Sequence, residues 1–470
     1  MLQKKSNTFL ESFFKLSENH TDVKTEVLAG FTTFITMAYA LLVIPNILKM
    51  SGMNVAGLKG DAAAGLSALN DPIIASAFAG TCIVSAVGTL IMALYANLPF
   101  AVAPGIGLTA FFSFSVCLTL GYSWQQGLAA VLISGILFVL ITVTSIREKI
   151  VDALPQNIKV AITGGIGLFI ALIGLKSGGI IVADPGTLVK FGDFTDAHVV
   201  LTLIGIALMG ILMARRVKGA MLLAILLTTI IGIPMGITSV AGLKFVSVPP
   251  SIAPTFMALD FKGLLAHGGT GIIGALTSVI MVVLTFSLVD LFDTIGTLVG
   301  TAQKANMIQP NGKIKHMKKA LLTDAVATTF SAMFGVTTTS TYVESTAGIA
   351  EGGRTGLTTL VVGVLFILSL FFGGIVGIVP AQATAPALII VGVLMMESMK
   401  DINFTDFSEA LPAFFTVAMM PFSYSIANGI AAGIIFYPIM KLSVGKYKDV
   451  HPIMYFLAIL FIIRFLLLPQ

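Results

Sequence analysis

The stretch Val279–Thr301, VIMVVLTFSLVDLFDTIGTLVGT, runs for 23 residues with Asp290 and Asp293 as its only charges. A helix needs roughly 20 apolar residues to cross a bilayer, and an Asp near its centre costs roughly 2.5–3.5 kcal/mol. The stretch therefore reads as a membrane span whose acids face a protein interior or a wet cavity, not lipid. At i and i+3 they share one helix face. Either acid alone is as readily a structural partner for a helix terminus or a lysine, whereas the two together point to a functional site.

Similar runs recur along the chain, among them Ile73–Tyr95, Gly127–Thr144 and Thr355–Phe372. Of the 470 residues 56% are hydrophobic and 10% charged, against about a quarter charged in a soluble domain. A water-soluble fold is excluded. Apolar spans are predicted at 27–48, 73–95, 104–120, 125–144, 158–176, 198–214 and 219–236, then at 272–300, 320–334, 341–350, 355–378, 381–398, 408–424 and 427–441. The polar, Pro-rich segment 248–271 divides them and reads as a linker. The fold predicted is an all-α polytopic membrane protein with 14 transmembrane spans. They form two repeats, 1–247 and 272–441, and an apolar tail at 442–470. An odd number of spans per repeat inverts the second copy, a transporter signature with the site near the bilayer midplane. Pro155, Gln156 and Ala161 are echoed half a chain later by Pro380, Gln382 and Ala387. The leftover stretch Ile453–Leu468 reads as an additional or interfacial helix, with Lys441–Lys448 in a cytoplasmic loop.

The net charge of +5 does not indicate nucleic acid, because the basic residues fall in short loops. Clusters at Arg147–Lys159, Arg215–Lys218, Lys304–Lys319 and Lys441–Lys448 mark the cytoplasmic side. With no apolar signal region in the first 24 residues, the expectation is a multi-pass protein of a cell inner (plasma) membrane, with a cytoplasmic N-terminus. Cys82 and Cys117 read as buried small hydrophobes, and no histidine has a ligand-spaced neighbour. No metal, cofactor or catalytic residue is expected.

Two matching segments are too short and too broken to span alone: Phe100–Thr109, FAVAPGIGLT, and Phe334–Glu344, FGVTTTSTYVE. Pro104, Gly105, Gly107 and the hydroxyls of Thr337–Thr341 interrupt helical hydrogen bonding, so each segment is expected to begin extended and become helical. A half-helix starting at the midplane aims free N–H groups at a ligand. Glu344, just past the second break, is a further intramembrane acid that could face the two aspartates. Close carboxylates in a dry site cannot all stay ionised, so at least one holds a proton near neutral pH. Glu351 and Arg354 read as a surface pair.

Four motifs in order, EVLAGFTTFITMAY (26–39), APGIGL (103–108), DLFDTIGT (290–297) and TSTYVESTAG (339–348), together with YSIANG (424–429), resemble the AzgA-like purine permeases of the nucleobase-cation symporter-2 superfamily. The resemblance covers nearly the whole chain. It implies a proton-coupled nucleobase symporter in which a core (27–144 and 272–378) moves by an elevator-like step against a gate (158–236 and 381–441). It implies a site between the third and tenth spans, with Asp293 and Glu344 as substrate-binding acids and Asp290 as a further acid, here assigned to proton coupling. Gly107 and Thr341 would complete the pocket through backbone groups. Its partners would be a purine nucleobase, protons and membrane lipid, with a homodimer left open. Two positions depart from the family: Thr109 stands where Asn is usual, and Ile44-Pro45 where Asn-Pro is usual. Thr offers one hydroxyl where Asn offers a separate donor and acceptor, which leaves an unusual nucleobase open. An ionised carboxylate only accepts, and so favours guanine or hypoxanthine, which carry N1–H, over adenine. An anion or other small-solute carrier of the same fold is the alternative.

Overall fold

In the computed structural model, residues 9–67, 70–144, 153–241, 243–266, 272–304, 307 and 316–467 are described. The basic residues Arg147, Lys149, Lys313 and Lys315 and the linker end 267–271 lie outside them.

Eight helices among the described residues are long and apolar enough to cross a membrane. They are spans 1 (Val23–Leu48), 2 (Pro72–Ala96), 4 (Trp124–Val143), 5 (Gln156–Ser177), 6 (Ala197–Ala214), 11 (Gly356–Ile378), 12 (Ala381–Asp401) and 14 (Ile426–Ser443). The other six of the 14 spans differ for identifiable reasons. Spans 7 (Ala220–Ile231), 9 (Met317–Met333) and 13 (Phe407–Phe422) are short helices. Span 8 is a 33-residue helix, Ile272–Lys304. Spans 3 and 10 are each a three-residue strand followed by a helix: β1 (Val102–Pro104) then Ile106–Ala110 and onward to Thr119, and β4 (Thr339–Thr341) then Ser345–Ala350.

Local chemistry sets the ends of these elements. Asp71 caps span 2 through Ile73 N–H (2.9 Å), ahead of Pro72 in the first turn, where a missing N–H costs nothing. Its other oxygen accepts from Val55 N–H (2.8 Å) and so pins the preceding loop. Ser123 and Gln126 form a capping box on span 4,. Glu26, fully buried in span 1, accepts from Arg354 N–H (2.8 Å) and Thr358 N–H (3.0 Å) at the start of span 11. It places a carboxylate where the helix dipole is positive. Pro155 and Pro380 are the N-cap residues of spans 5 and 12, the same role in both repeats.

The spans pack in two groups. Spans 1–4 pack with 8–11, most closely span 4 on 9 and span 2 on 11, while spans 5–7 pack with 12–14, most closely span 5 on 12 and 13. Spans 3 and 8 meet span 5 along a thinner seam. The segment predicted as a linker is packed in place, with Thr255 buried and hydrogen-bonded to Ser76 (2.6 Å) and Asp260 reaching Gln126 (3.4 Å). Spans 13 and 14 lie along each other around a turn at Tyr424, which has a φ of 53°, so they are two spans, not one broken helix. The tail forms a helix, Pro452–Leu467, that buries Met454 and Phe461 against span 14. Between spans 5 and 6 an antiparallel hairpin, β2 (Ile181–Asp184) and β3 (Leu188–Phe191), stands exposed.

Candidate functional site at the strand crossing

β1 and β4 pair antiparallel inside the helical bundle, with Val102 opposite Thr341, Ala103 opposite Ser340 and Pro104 opposite Thr339. Gly105 N–H to Thr338 O (3.1 Å) and Tyr342 N–H to Ala101 O (3.0 Å) extend the ladder. A two-stranded ladder leaves outer edges that lipid cannot satisfy. Spans 2 and 9, which hold the same place in the two repeats, each supply a buried threonine for this. Thr89 Oγ donates to Val102 O (2.8 Å) and accepts from Val102 N–H (3.0 Å), and Thr328 Oγ accepts from Thr339 N–H (3.1 Å). Both chains then enter helices in mid-bundle. The first-turn N–H groups of span 3, at Ile106–Leu108, have no partner within their own helix.

Asp293 and Glu344 meet at this crossing. The Asp293 carboxylate is hydrogen-bonded by the Ser340 side chain, and its Oδ2 lies 3.3 Å from where a Cβ on Gly105 would stand. Glu344 begins the helix of span 10 and accepts from the Tyr39 hydroxyl at 2.6 Å. Tyr342 donates its hydroxyl to Pro104 O (2.6 Å), fixing the turn out of β1. Both acids are partly exposed, so neither is wholly sealed among side chains.

Asp290 has a different setting. It is fully buried and is linked to span 9 through Thr294. Thr294 Oγ lies 2.9 Å from Asp324 Oδ2 and 3.4 Å from Asp290 Oδ1. Three helical residues turn about 300°, so i and i+3 diverge by about 60°. That divergence sends Asp293 to the crossing and Asp290 to span 9, which corrects the expectation of one shared acidic face. Asp324, also fully buried, was not singled out from the sequence, and neither were Tyr39 and Ser340.

The remaining expected site residues are placed as follows. Thr109 is fully buried; its hydroxyl donates to Gly105 O (2.8 Å) and lies 2.8 Å from Thr337 Oγ, so it ties the turn after β1 to the segment before β4. Gly107 faces span 5, where a Cβ would stand 3.0 Å from Ile166 Cγ2. The buried Thr341 hydroxyl has no hydrogen-bond partner among the described residues. Glu351 pairs with Lys218, not with Arg354, whose guanidinium donates to Ile349 O (2.7 Å) at the helix end.

The geometry has counterparts among known proteins. A family model described as "Permease family" matches residues 24–432. The adenine permease AdeP of Escherichia coli is 40% identical over 97% of this chain and 95% of its own length. The guanine/hypoxanthine permease PbuG of Bacillus subtilis is 41% identical over 98% of this chain and 100% of its own. In fold, the transmembrane domain of a cyanobacterium bicarbonate transporter, BicA, superposes with a TM-score of 0.60 at 15% identity, covering 87% of this chain and 97% of that one. Kinship of this extent makes the chain a membrane transporter of the permease family, related along nearly its whole length to adenine and guanine/hypoxanthine permeases.

Proposed function

We propose that this chain imports purine nucleobases together with protons, with guanine and hypoxanthine preferred. The observation that carries this reading is the pair of half-buried carboxylates, Asp293 and Glu344, at the strand crossing. Each already has a hydroxyl neighbour, Ser340 and Tyr39, that steadies it as an acceptor, and a carboxylate has further lone pairs for a ligand. Paired acceptors match the N1–H and 2-amino edge of guanine and the N1–H of hypoxanthine, while adenine presents an acceptor at N1. Names among the relatives divide between adenine permeases and guanine/hypoxanthine permeases, so the site chemistry supplies the preference.

Coupling is assigned to Asp290, now together with Asp324, away from the substrate acids. A buried acid without its proton is costly to carry through the bilayer, so protonation there licenses the transit of the loaded core. The moving unit is spans 1–4 with 8–11, and the seam at Gly107, Ile166 and Ile170 is where it slides on spans 5–7 and 12–14. Under the positive-inside rule the face carrying Arg215–Lys218 and the N-terminus is cytoplasmic, in a cell inner membrane. The test is uptake of radiolabelled guanine, hypoxanthine, adenine, xanthine and uracil into liposomes, with and without an inward proton gradient. Gradient-stimulated accumulation of guanine or hypoxanthine is expected. Accumulation of adenine alone overturns the preference, and accumulation of no base overturns the function.

A further inference from the structure

On the face opposite the basic loops, a cavity of about 200 Å³ opens where the two helix groups meet. It is smaller than the ~300 Å³ and larger pockets that hold drug-sized ligands, and suits a single fused heterocycle. Two carboxamides line it from opposite groups, Asn46 of span 1 and Gln382 of span 12. Gln382 makes no side-chain hydrogen bond to any described residue, and Asn46 uses only its Nδ2, which donates to Leu42 O (2.8 Å). Phe114 and Leu388 supply apolar walls. The charged lining balances, with Lys49 and Lys176 against Asp61 and Asp196, so the cavity favours a neutral ligand over an anion. At the cavity, Lys176 of span 5 reaches 3.6 Å across to Asp61 in the loop after span 1, and its Nζ stands 5.5 Å from the Tyr424 ring centroid.

We propose that this cavity is a reception site, distinct from the strand crossing, that binds the neutral nucleobase between the Asn46 and Gln382 carboxamides before the core carries it. Each carboxamide offers a donor and an acceptor, matching the mixed edges that a purine base presents on both rings. The Lys176–Asp61 pair closes over the occupied cavity and links the two groups while the base waits. The inference rests on the nucleobase-transport reading above.

The test uses an Ala381→Cys variant, since Ala381 lines the cavity and the native Cys82 and Cys117 are both fully buried. A membrane-impermeant maleimide applied from outside then reads position 381, with guanine, hypoxanthine and adenine as protecting ligands. The base that is taken up is expected to slow labelling about fivefold or more, and to do so equally when Glu344→Gln has disabled the crossing. Adding Gln382→Ala should raise the concentration of base needed for protection about fivefold, and Gln382→Ala alone should raise the uptake KM by the same factor with the maximal rate kept, the effect of one neutral hydrogen bond. Unprotected labelling in a protein that still takes up the base overturns the reception site alone, as does protection that vanishes with Glu344→Gln or an unchanged KM in Gln382→Ala. Failure of the unaltered protein to take up any base overturns the transport reading, and this site with it.

Discussion

Glu344 has two carboxylate oxygens, and Tyr39 holds one of them at 2.6 Å. A hydrogen bond to a charged group is worth about 1.5–3 kcal/mol. Tyr39→Phe should therefore raise the KM for the transported base by roughly tenfold or more, whereas Glu344→Gln should abolish saturable uptake. Equal kinetics in Tyr39→Phe and the unaltered protein would show that the hydroxyl does not position the acid. Asp290 and Asp324 meet at one threonine, so Asp290→Asn and Asp324→Asn should each leave uptake insensitive to an imposed proton gradient. Gradient-stimulated uptake persisting in either variant removes that residue from the coupling site. The sequence exposes these acids unequally. Asp290 and Asp293 stand out because nothing else in Val279–Thr301 is charged. Asp324 lies in the predicted span 320–334, but close behind Lys318 and Lys319 it resembles the charged start of a helix. Yet Asp324 is as fully buried as Asp290 and carries the same cost of a charge away from water,. Tyr39 sits inside a quoted motif, yet its partner is 305 residues away, and no local spacing reports such a contact.

At the scale of the element, the two broken segments were legible because Pro104, Gly105 and a run of threonines cannot sustain a helix in lipid. Their pairing was not, since three-residue strands carry too little alternation to declare a register. Once they are paired, Gly105 has a specific task. Its φ is −68°, so close approach, not backbone conformation, is what demands glycine there. A Cβ would stand 2.9 Å from Leu108 Cδ1, 3.0 Å from Ser340 Oγ and 3.3 Å from Asp293 Oδ2. Gly105→Ala should yield protein that inserts and folds, because the leucine end and the serine hydroxyl can turn aside. It should nonetheless transport poorly, because Ser340 and Asp293 are what must move. Folded protein with an unchanged KM would show that the contact does not set the site. The hairpin β2–β3 had no sequence reading at all. Its strands are largely exposed, so no buried face imposes a pattern on them.

For the whole molecule, what governs movement is how the two helix groups are joined. Within each group helices pack along their lengths, while the seam between them is thinner and includes Gly107, whose lack of a side chain lets span 3 lie directly on Ile166 and Ile170. Where span 3 lies on span 5 the seam is glycine against aliphatic side chains, a surface that can slide without stranding polar groups. The ion pairs that cross it sit at its ends, Lys176–Asp61 on one face and Lys218–Glu351 on the basic face. Exposed pairs contribute only about 0–1 kcal/mol, weak enough to break and re-form in each cycle. Joining the ends of the Lys218–Glu351 pair covalently should therefore arrest transport if one group moves as a body past the other. In a protein carrying Lys218→Cys and Glu351→Cys, a short reducible bifunctional thiol reagent is expected to stop uptake, and a reductant to restore it. The native cysteines are too buried to compete for the reagent. Base binding measured at equilibrium should survive the cross-link, because the strand crossing lies wholly within spans 1–4 and 8–11. Complete cross-linking with undiminished uptake would mean that these two points keep their separation throughout the cycle, and that access alternates by local opening of short segments, with both groups fixed.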